Sequence, residues 1–442
     1  MKKHLSLLLF SMLVVFTQTS IANEAPAVVA ARAISEDPNE AAMAIAELRA
    51  MGPTGLQSLM QANEQEISKH ITNPTLAPTP EWVRITAALD AVSQQKDSYL
   101  SGLFWYTDLA EARKAASLAG KPILSLRLLG KLTDELSCAN SRFFRTVLYS
   151  NPTIASSLRN EFILHWESVR PVPVITIDFG DGRKLQRTIT GNSIHYVLDS
   201  DGNLIDALPG LYGPGAFIRG LNEVQSLFQK LRADSQHRVV ILATYYRTRI
   251  NKISVDWLND TAKIGLKQPI DVAVVRDQNG EALSVMPLAV SKAMTETTVL
   301  RAMTAGADSL GRITDEAAWK KIAALHASDS RLDEHSIGLI KRQTQQLTGS
   351  AKAFDSLLQN FQESIALDTV RNEYRMHTKI YAWLFADRGR SDVKIFNERV
   401  YSELFITPSS DPWLGLLQPD VYTGLENGGV IASKRRKGER GS

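Results

Sequence analysis

The stretch from Trp105 to Leu231 constrains the fold most, because strand and helix patterns alternate along it. Its first part predicts a short aromatic strand at Trp105, a helix capped by Thr107 or Asp108, and a buried strand at Ile123 to Leu129. A Gly-Lys-Pro turn separates the helix from the second strand. This order predicts a β-α-β unit and therefore places the chain in the α/β class.

The second part of the stretch extends this unit. A helix is predicted to open at Cys138 with Ser137 as its cap, followed by a third strand. Two more strands are predicted around the Asp-Ser-Asp-Gly turn of residues 199–202, and a helix from about Pro214 closes the unit. Between the third strand and this pair, residues 174–179 and 184–190 predict an inserted hairpin. We interpret the insertion as decoration that lengthens the sheet, with a docking edge for a partner as the alternative.

The order of these elements and a set of scattered positions resemble the thioredoxin-like family of secreted bacterial proteins. The matching positions are Trp105, Thr107, Asp108, Leu109, Glu111, Ala112, Ala115, Gly120, Lys121, Pro122, Cys138, Asn160, Phe162, Leu198, Asp199 and Gly202. The resemblance covers residues 105–231 and implies a thioredoxin fold there. The chain departs from the family where its chemistry lies, because Cys138 and Ser141 form C-x-x-S in place of C-x-x-C. Ser137 replaces the usual tryptophan, and Ser193 takes the slot of the family's cis-proline.

Cys138 is the only cysteine of the chain, so it cannot form an intramolecular disulfide. It is a buried inert thiol, an intermolecular crosslink or a free reactive thiol. A helix N-terminus would lower the pKa of a thiol placed there. With Ser141 instead of a second cysteine, a mixed disulfide at Cys138 must be released by an external thiol.

Two functional hypotheses follow for this site. In the first, Cys138 is the nucleophile and Ser141 a hydrogen-bond donor in a single-cysteine thiol exchanger, whose partner is another periplasmic protein thiol or disulfide. In the second, the thioredoxin-like unit is redox-inactive and serves as a binding or assembly module, with the helical flanks making the contacts. Because three features of the family's active surface are absent together, we expect Cys138 to be covered or only partly reactive.

The first 22 residues predict a cleavable signal peptide. Lys2 and Lys3 give a positive start, residues 5–16 are apolar, and Ser20-Ile21-Ala22 is a small-x-small cleavage site. We therefore expect a periplasmic or secreted protein. The formal net charge of +3 falls to about +1 without the two lysines, which excludes a strong field for nucleic acid. No later run approaches the ~18 apolar residues of a membrane helix, so we expect no integral membrane segment.

The remaining sequence predicts helices on both sides of the central unit. We divide the chain into a signal peptide (1–22), a helical N-terminal region (23–100), the thioredoxin-like domain (101–231), a connecting segment (232–290), a helical domain (291–405), and a C-terminal wrap with a basic tail (406–442). For the connecting segment, a long helix and a bridging hairpin both stay open. The predicted fold class is thus α/β, with a central thioredoxin-like domain between an N-terminal helical cap and a mostly helical C-terminal region.

Three histidines lie in positions where chemistry has to be considered. Glu373 and His377 are spaced i, i+4 on a predicted helix, which suits a metal site, an acid-base pair or an intrahelical salt bridge on a solvated face. We favour the salt bridge. His195 lies two residues after Ser193, where it could serve as a base for the thiol, and His165 lies on a predicted strand; a structural role is the default for both. The sequence holds no phosphate loop or zinc-type spacing, so we predict no cofactor and no metal.

Overall fold

The computed structural model describes residues 25–188, 191–265, 316–347, 349–387, 391–405 and 407–414, and positions 425, 427 and 430. The predicted signal peptide, the predictions for residues 266–315 and the basic tail lie outside these residues. Within them, the chain is a mixed α/β structure with one five-stranded sheet and helices at both ends. This confirms the predicted α/β class with helical flanks.

The sheet is formed by strands β1 (Trp105–Tyr106), β2 (Ile123–Leu129), β3 (Ile163–Arg170), β6 (Ile194–Leu198) and β7 (Leu204–Pro209). Their order across the sheet is β1-β3-β2-β6-β7. The two pairings of β3, with β1 and β2, are parallel, whereas β6 runs antiparallel to both β2 and β7. All seven residues of β2 are buried, because this central strand is covered on both faces.

Helices α6 (Leu109–Ala119), α7 (Ala139–Phe143), α8 (Pro152–Glu161) and α9 (Pro214–Ala233) connect or follow these strands. Asp108, one of the two predicted caps, accepts the N–H of Glu111 at 2.9 Å and starts α6. The helix ends at Gly120, whose φ of 63° is left-handed and favours glycine. The cap and the Gly-Lys-Pro turn of the β-α-β unit therefore lie where the sequence predicts them.

The inserted hairpin forms as predicted but does not lengthen the main sheet. Strands β4 (Val174–Asp178) and β5 (Lys184–Thr188) pair only with each other, in a separate antiparallel sheet. The burial along β4 alternates between exposed and half-buried residues, so neither face is covered well enough for a place in the core. The interpretation as a sheet extension is wrong for this reason.

The N-terminal region consists of helices α1 (Pro26–Arg32), α2 (Pro38–Ala50), α3 (Pro53–Ala62), α4 (Glu64–Thr72) and α5 (Pro80–Ser93). They build a second hydrophobic core that reaches Phe104 at the start of the sheet. Helices α2 and α3 cross closely at Gly55, where a methyl group would lie 2.0 Å from the carbonyl oxygen of Leu48. Arg49 fixes the region to the sheet by donating to the carbonyl oxygen of Trp105 at 2.5 Å.

The C-terminal region begins with α10 (Arg238–Lys263), a single long helix, which decides against a hairpin over those residues. Helices α11 (Glu316–Leu325), α12 (Glu334–Thr344), α13 (Ala351–Arg371), α14 (Thr378–Ala386) and α15 (Val393–Arg399) follow. Residues Asn372–His377 and Val400–Leu404 are π-helical turns. These helices share one continuous hydrophobic core with the five-stranded sheet. Among the described residues, no helix has both the length and the apolar character needed to cross a bilayer.

Candidate functional site

Cys138 lies where the loop after β2 enters α7, at a helix start as the sequence predicts. Its side chain, rather than that of Ser137, is the cap: Sγ accepts the backbone N–H of Ser141 at 3.4 Å. The hydroxyl of Ser141 donates to the carbonyl oxygen of Cys138 at 2.9 Å. The structure therefore brings the two predicted site residues together, and the assignment of the cap to Ser137 is wrong because the helix begins one residue later than predicted.

The environment of the thiol opposes its ionisation. Cys138 is 0% exposed and belongs to the main hydrophobic core. Burial raises the pKa of the Cys138 thiol, and the hydrogen bonds from Ser141 and the charge of Arg142 do not compensate. The direction is opposite to the lowering that a helix N-terminus would give an exposed thiol. Cys138 is thus covered, as expected, and its use in exchange chemistry stays a prediction.

The loop that carries Ser193 is held by the C-terminal region. The hydroxyl of Tyr401 donates to the carbonyl oxygen of Asn192 at 3.0 Å, and the amide of Asn192 donates to Oγ1 of Thr407 at 3.1 Å. Arg170, at the end of β3, donates to the carbonyl oxygens of Thr407 and Asp411 at 2.9 Å each. The segment from α15 onward therefore packs over the end of the sheet where the predicted active surface would lie.

The two strand histidines are buried and hydrogen-bonded within the core. His195 shares a 2.7 Å hydrogen bond with the hydroxyl of Tyr149, and burial lowers the pKa of His195 to about 3. His165 shares a 2.8 Å hydrogen bond with the hydroxyl of Ser125. Burial and the charge of Arg127 lower the pKa of His165 to about 3 as well. A general base needs a pKa near the working pH, so His195 is poorly suited to activate the thiol.

A second group of polar side chains surrounds a cavity of about 290 Å³ between α9, α10 and the π-helical turn Asn372–His377. Its acidic lining residues are Glu223, Asp256, Asp260, Asp329 and Glu373, its basic ones Arg219, Arg249, Lys252 and Lys263, and its histidines His326 and His377. We call it the charged cavity.

Arg249 is the centre of one network in the charged cavity. One of its nitrogens, Nη1, lies 2.5 Å from Oε2 of Glu223, and Nη2 lies 3.4 Å from Oε1 of Glu373. The other oxygen of Glu373 lies 3.0 Å from Nδ1 of His377. Burial acts to raise the pKa of the Glu373 carboxyl, but His377 and Arg249 outweigh it and lower the pKa to about 2. Burial raises the pKa of Glu223 despite Arg249.

Asp260 is the centre of a second network. Its Oδ2 accepts the hydroxyl of Tyr374 at 2.5 Å and lies 2.5 Å from Nε2 of His326. Its Oδ1 accepts Nζ of Lys263 at 3.2 Å. Burial acts to raise the pKa of Asp260, and these hydrogen bonds outweigh it and lower the pKa. The carboxylate is therefore held ionised although its side chain is nearly inaccessible.

The predicted pair of Glu373 and His377 forms, but not on a solvated face. His377 is 2% exposed and stacks on Tyr381 with ring centroids 4.3 Å apart. The reason is that α10 and β7 both pack against the π-helical turn Asn372–His377, so the side of the turn that carries His377 does not face solvent. The prediction of a solvated face is therefore wrong. Nε2 of His377 is buried and has no hydrogen-bond partner among the described residues.

Three charged residues of this region are not predicted as site residues by the sequence: Asp206, Arg249 and Asp260. Asp206 accepts the hydroxyl of Tyr245 at 2.6 Å behind the cavity, and burial raises its pKa. A single carboxylate inside the apolar run of β7 is the one local signal that could have found it. Arg249 and Asp260 look like ordinary polar positions of a helix, because Glu373, a partner of Arg249, and Tyr374, a partner of Asp260, each lie more than a hundred residues further along the chain.

The described residues contain no group of three or more histidine, cysteine, aspartate or glutamate side chains arranged to hold a metal ion. No protein-family model, curated protein or solved structure matches the chain. A functional proposal for this chain therefore depends on the geometry of the Cys138 site and of the charged cavity.

Proposed function

We propose that this protein is an exported, redox-inactive thioredoxin-like module that binds its partner through the helical flanks. The observation that carries the proposal is the complete burial of Cys138. A cysteine nucleophile acts as a thiolate and needs access to its target. Burial keeps a target away from the Cys138 thiol and raises the thiol pKa, so it acts against both requirements.

The order of the strands supports the thioredoxin-like part of the proposal. The sheet runs β1-β3-β2-β6-β7, with a parallel half built by the β-α-β unit and an antiparallel half built by the final hairpin. A helix start follows β2 and carries the cysteine, which agrees with the resemblance drawn from the sequence. The fold alone does not define an activity, since one fold serves many functions.

The contacts of the C-terminal region support the redox-inactive part. Tyr401, Thr407 and Asp411 bond to the Ser193 loop and to the end of β3. Tyr196 on β6 donates to Oδ1 of Asn397 at 3.2 Å in the same interface. A substrate disulfide would have to displace these groups before it could approach Cys138.

A single-cysteine thiol exchanger is the second candidate. The position of Cys138 at the cap of α7 favours it, because this is where a nucleophilic cysteine would be placed in such a fold. For this activity the C-terminal cover has to open. The export to the periplasm or medium belongs to both candidates and rests on the signal-peptide pattern of residues 1–22.

Alkylation of Cys138 with iodoacetamide separates the two candidates. We expect labelling of the native protein at pH 8 to be about a thousandfold slower than in urea, because the unfolded fraction of a native protein is about 10⁻³ or less. The Cys138→Ser variant is the control and should take no label. Native labelling as fast as that of the unfolded chain would overturn the proposal in favour of the exchanger.

A further inference from the structure

A row of three cations, Arg371, Arg375 and Lys379, lies on one side of the C-terminal helices. The three residues follow each other at intervals of four through the end of α13, the π-helical turn Asn372–His377 and the start of α14, which form one continuous helix. Residues at this spacing are neighbours on a helix surface. All three side chains are half-buried. We call this row of cations the basic face.

Arg375, in the middle of the basic face, has no counter-charge. Among the described residues, no carboxylate forms an ion pair with Arg375 and no acceptor takes a hydrogen bond from it. Burial and the like charge of Arg371 lower the pKa of the Arg375 guanidinium, and no carboxylate acts in the opposite direction. A guanidinium keeps its proton in proteins, so its partial burial without an anion costs free energy that a bound anion would recover.

Lys379 lies next to Arg375 on the basic face and is in a similar position. Burial lowers the pKa of the Lys379 ammonium, Glu403 acts to raise it, and the like charge of Arg375 lowers it further. Glu403 already pairs with Arg399, whose Nε lies 3.3 Å from Oε1 of Glu403. The carboxylate that acts on Lys379 is therefore engaged with another cation.

Trp319 on α11 holds the two guanidiniums of the basic face near one ring. The Cζ atoms of Arg371 and Arg375 lie 5.8 and 6.0 Å from the centroid of the Trp319 indole. Trp319 is 2% exposed and packs against Trp257 with ring centroids 5.2 Å apart, so the core fixes its position. A cation–π contact attracts a guanidinium but supplies neither a full negative charge nor an oxygen acceptor. The ring thus positions Arg375 without neutralising it.

We propose that the basic face binds a phosphate group, with Arg375 and Lys379 as the side chains that contact it and Arg371 adding to the positive potential. A phosphate group carries about 1.5 to 2 negative charges at pH 7 and three strong acceptor oxygens, so it can accept from two cations at once. The Cβ atoms of residues spaced i, i+4 are about 5–6 Å apart, within reach of one such group. The inference deepens the proposed function, on which it rests for the binding role of the helical flanks, because it names the group that the C-terminal flank recognises.

Two probes test the proposal and separate the sources of the phosphate group. The first is calorimetric titration of the purified protein with inorganic phosphate at constant ionic strength, with acetate as the singly charged control. We expect phosphate to bind with a Kd of about 1 mM or below and acetate to bind about tenfold more weakly or not at all. The second probe is sedimentation with phosphatidylcholine vesicles, with and without phosphatidic acid.

The pattern of binding assigns the source. Binding of inorganic phosphate assigns the basic face to a free phosphate or a small phosphorylated molecule. Binding confined to the vesicles that contain phosphatidic acid assigns the basic face to a lipid headgroup. Absence of binding to both probes would overturn the proposal, and so would equal binding of acetate and phosphate.

The Arg375→Gln variant shows whether phosphate binds at the basic face. We expect it to weaken phosphate binding about tenfold or more, because a hydrogen bond between charged groups is lost. Lys352→Gln removes the same charge from an exposed position near the start of α13 and is the matched control, with no change expected. Equal phosphate binding by the wild type and Arg375→Gln would overturn the site.

Thermal unfolding distinguishes a binding role of Arg375 from a structural one. In phosphate-free buffer we expect Arg375→Gln to unfold at the wild-type temperature or above it, because a like charge next to Arg371 and Lys379 is removed. Phosphate should raise the melting temperature of the wild type and of Lys352→Gln, but not that of Arg375→Gln. A lower melting temperature of Arg375→Gln without phosphate, together with no rise of the wild-type value on adding phosphate, would overturn the proposal.

Alkylation of Cys138 in the same protein preparation separates this inference from the proposed function. Rapid native alkylation of Cys138 together with phosphate binding at the basic face would overturn the proposed function alone. A protected Cys138 together with failed phosphate binding would overturn the phosphate site alone.

Discussion

The Cys138 site and the charged cavity differ in the surroundings of their polar groups: apolar at Cys138, charged in the cavity. The Cys138 thiol belongs to the hydrophobic core, and the C-terminal region bonds to the loop that carries Ser193. In the charged cavity, eleven acidic, basic or histidine side chains line a space beside α10, and several of them are partly exposed to solvent. The residue with the most recognisable chemistry in the sequence is thus the one whose surroundings suppress it. Burial, rather than spacing along the chain, therefore decides which side chains can react or bind.

The physical cost of burial explains both sites. A buried thiol stays neutral, so the Cys138 site needs no counter-charge. The same burial raises the pKa of the Cys138 thiol. An arginine cannot lose its proton, so burying Arg249 requires carboxylates within reach. Glu223 and Glu373 meet this need. The two regions should therefore respond differently to substitution and to pH.

The largest effect is expected from Arg249→Ala. The change leaves Glu223 and Glu373 facing each other without their shared guanidinium and removes the hydrogen bond from Nε to the Tyr381 hydroxyl. We expect the free energy of unfolding to fall by about 2–3 kcal/mol, because hydrogen bonds to a charged group are lost while the half-buried side chains of Glu223 and Glu373 stay partly screened by solvent. Urea unfolding followed by circular dichroism measures it.

Lys252→Ala is the matched control for that substitution. Lys252 lines the same cavity and pairs with Asp256 at 2.5 Å, but both side chains are about half exposed. An exposed pair contributes little, so we expect a change within about 0.5 kcal/mol. Equal losses for Arg249→Ala and Lys252→Ala would contradict the distinction between a mostly buried and an exposed ion pair.

The sequence predicts the sheet region well because its signals are local. The apolar run of β2, the Asp108 cap and the Asp-Gly turn before β7 each depend on neighbours within a few residues. The placement of β4 and β5 outside the main sheet depends on which faces other elements cover. For that reason the hairpin is predictable and its place is not.

The sites are less predictable because they are assembled from distant segments. A helix start next to Cys138 is predictable from local signals, whereas the bond from Tyr401 to the loop that carries Ser193 joins segments far apart in the chain. The i, i+4 spacing of Glu373 and His377 predicts their contact, whereas their burial comes from packing against α10 and β7. Asp260 shows the limit most clearly, since Tyr374 donates to it across more than a hundred residues of chain.

The next largest effect is the pH dependence of folding stability, which differs between the two regions. His195 has a pKa of about 3 in the folded state against about 6.5 in the unfolded chain. Below pH 6.5 only the unfolded state takes up this proton, so stability falls by about 1.4 kcal/mol per pH unit for this histidine. Glu373, with a folded pKa of about 2 and an ordinary value of 4.5, stabilises the fold above pH 4.5, and its contribution is lost below that.

Urea unfolding of the wild type and of His195→Gln between pH 7 and pH 5 measures the histidine effect, and the slopes are compared rather than the absolute stabilities. We expect the slope of the variant to be smaller by about 1.4 kcal/mol per pH unit below pH 6.5. Asp90, whose pKa burial raises to about 6, acts with the opposite sign but equally in both proteins, so it cancels. Identical slopes would show that His195 is not buried in its neutral form.

Apart from the control Lys252→Ala, the smallest effect is expected from Cys138→Ala. If the thiol serves only as a small apolar group of the core, its removal costs about 1 kcal/mol, close to the burial of one methylene. Cys138→Ser should cost more, because it places a hydroxyl where the hydroxyls of Ser137 and Ser193 are already buried without partners among the described residues. Thermal and urea unfolding of the two variants measure the difference. A serine variant that is more stable than the alanine variant would mean that the site around Cys138 is polar, and the contrast with the charged cavity would then fail.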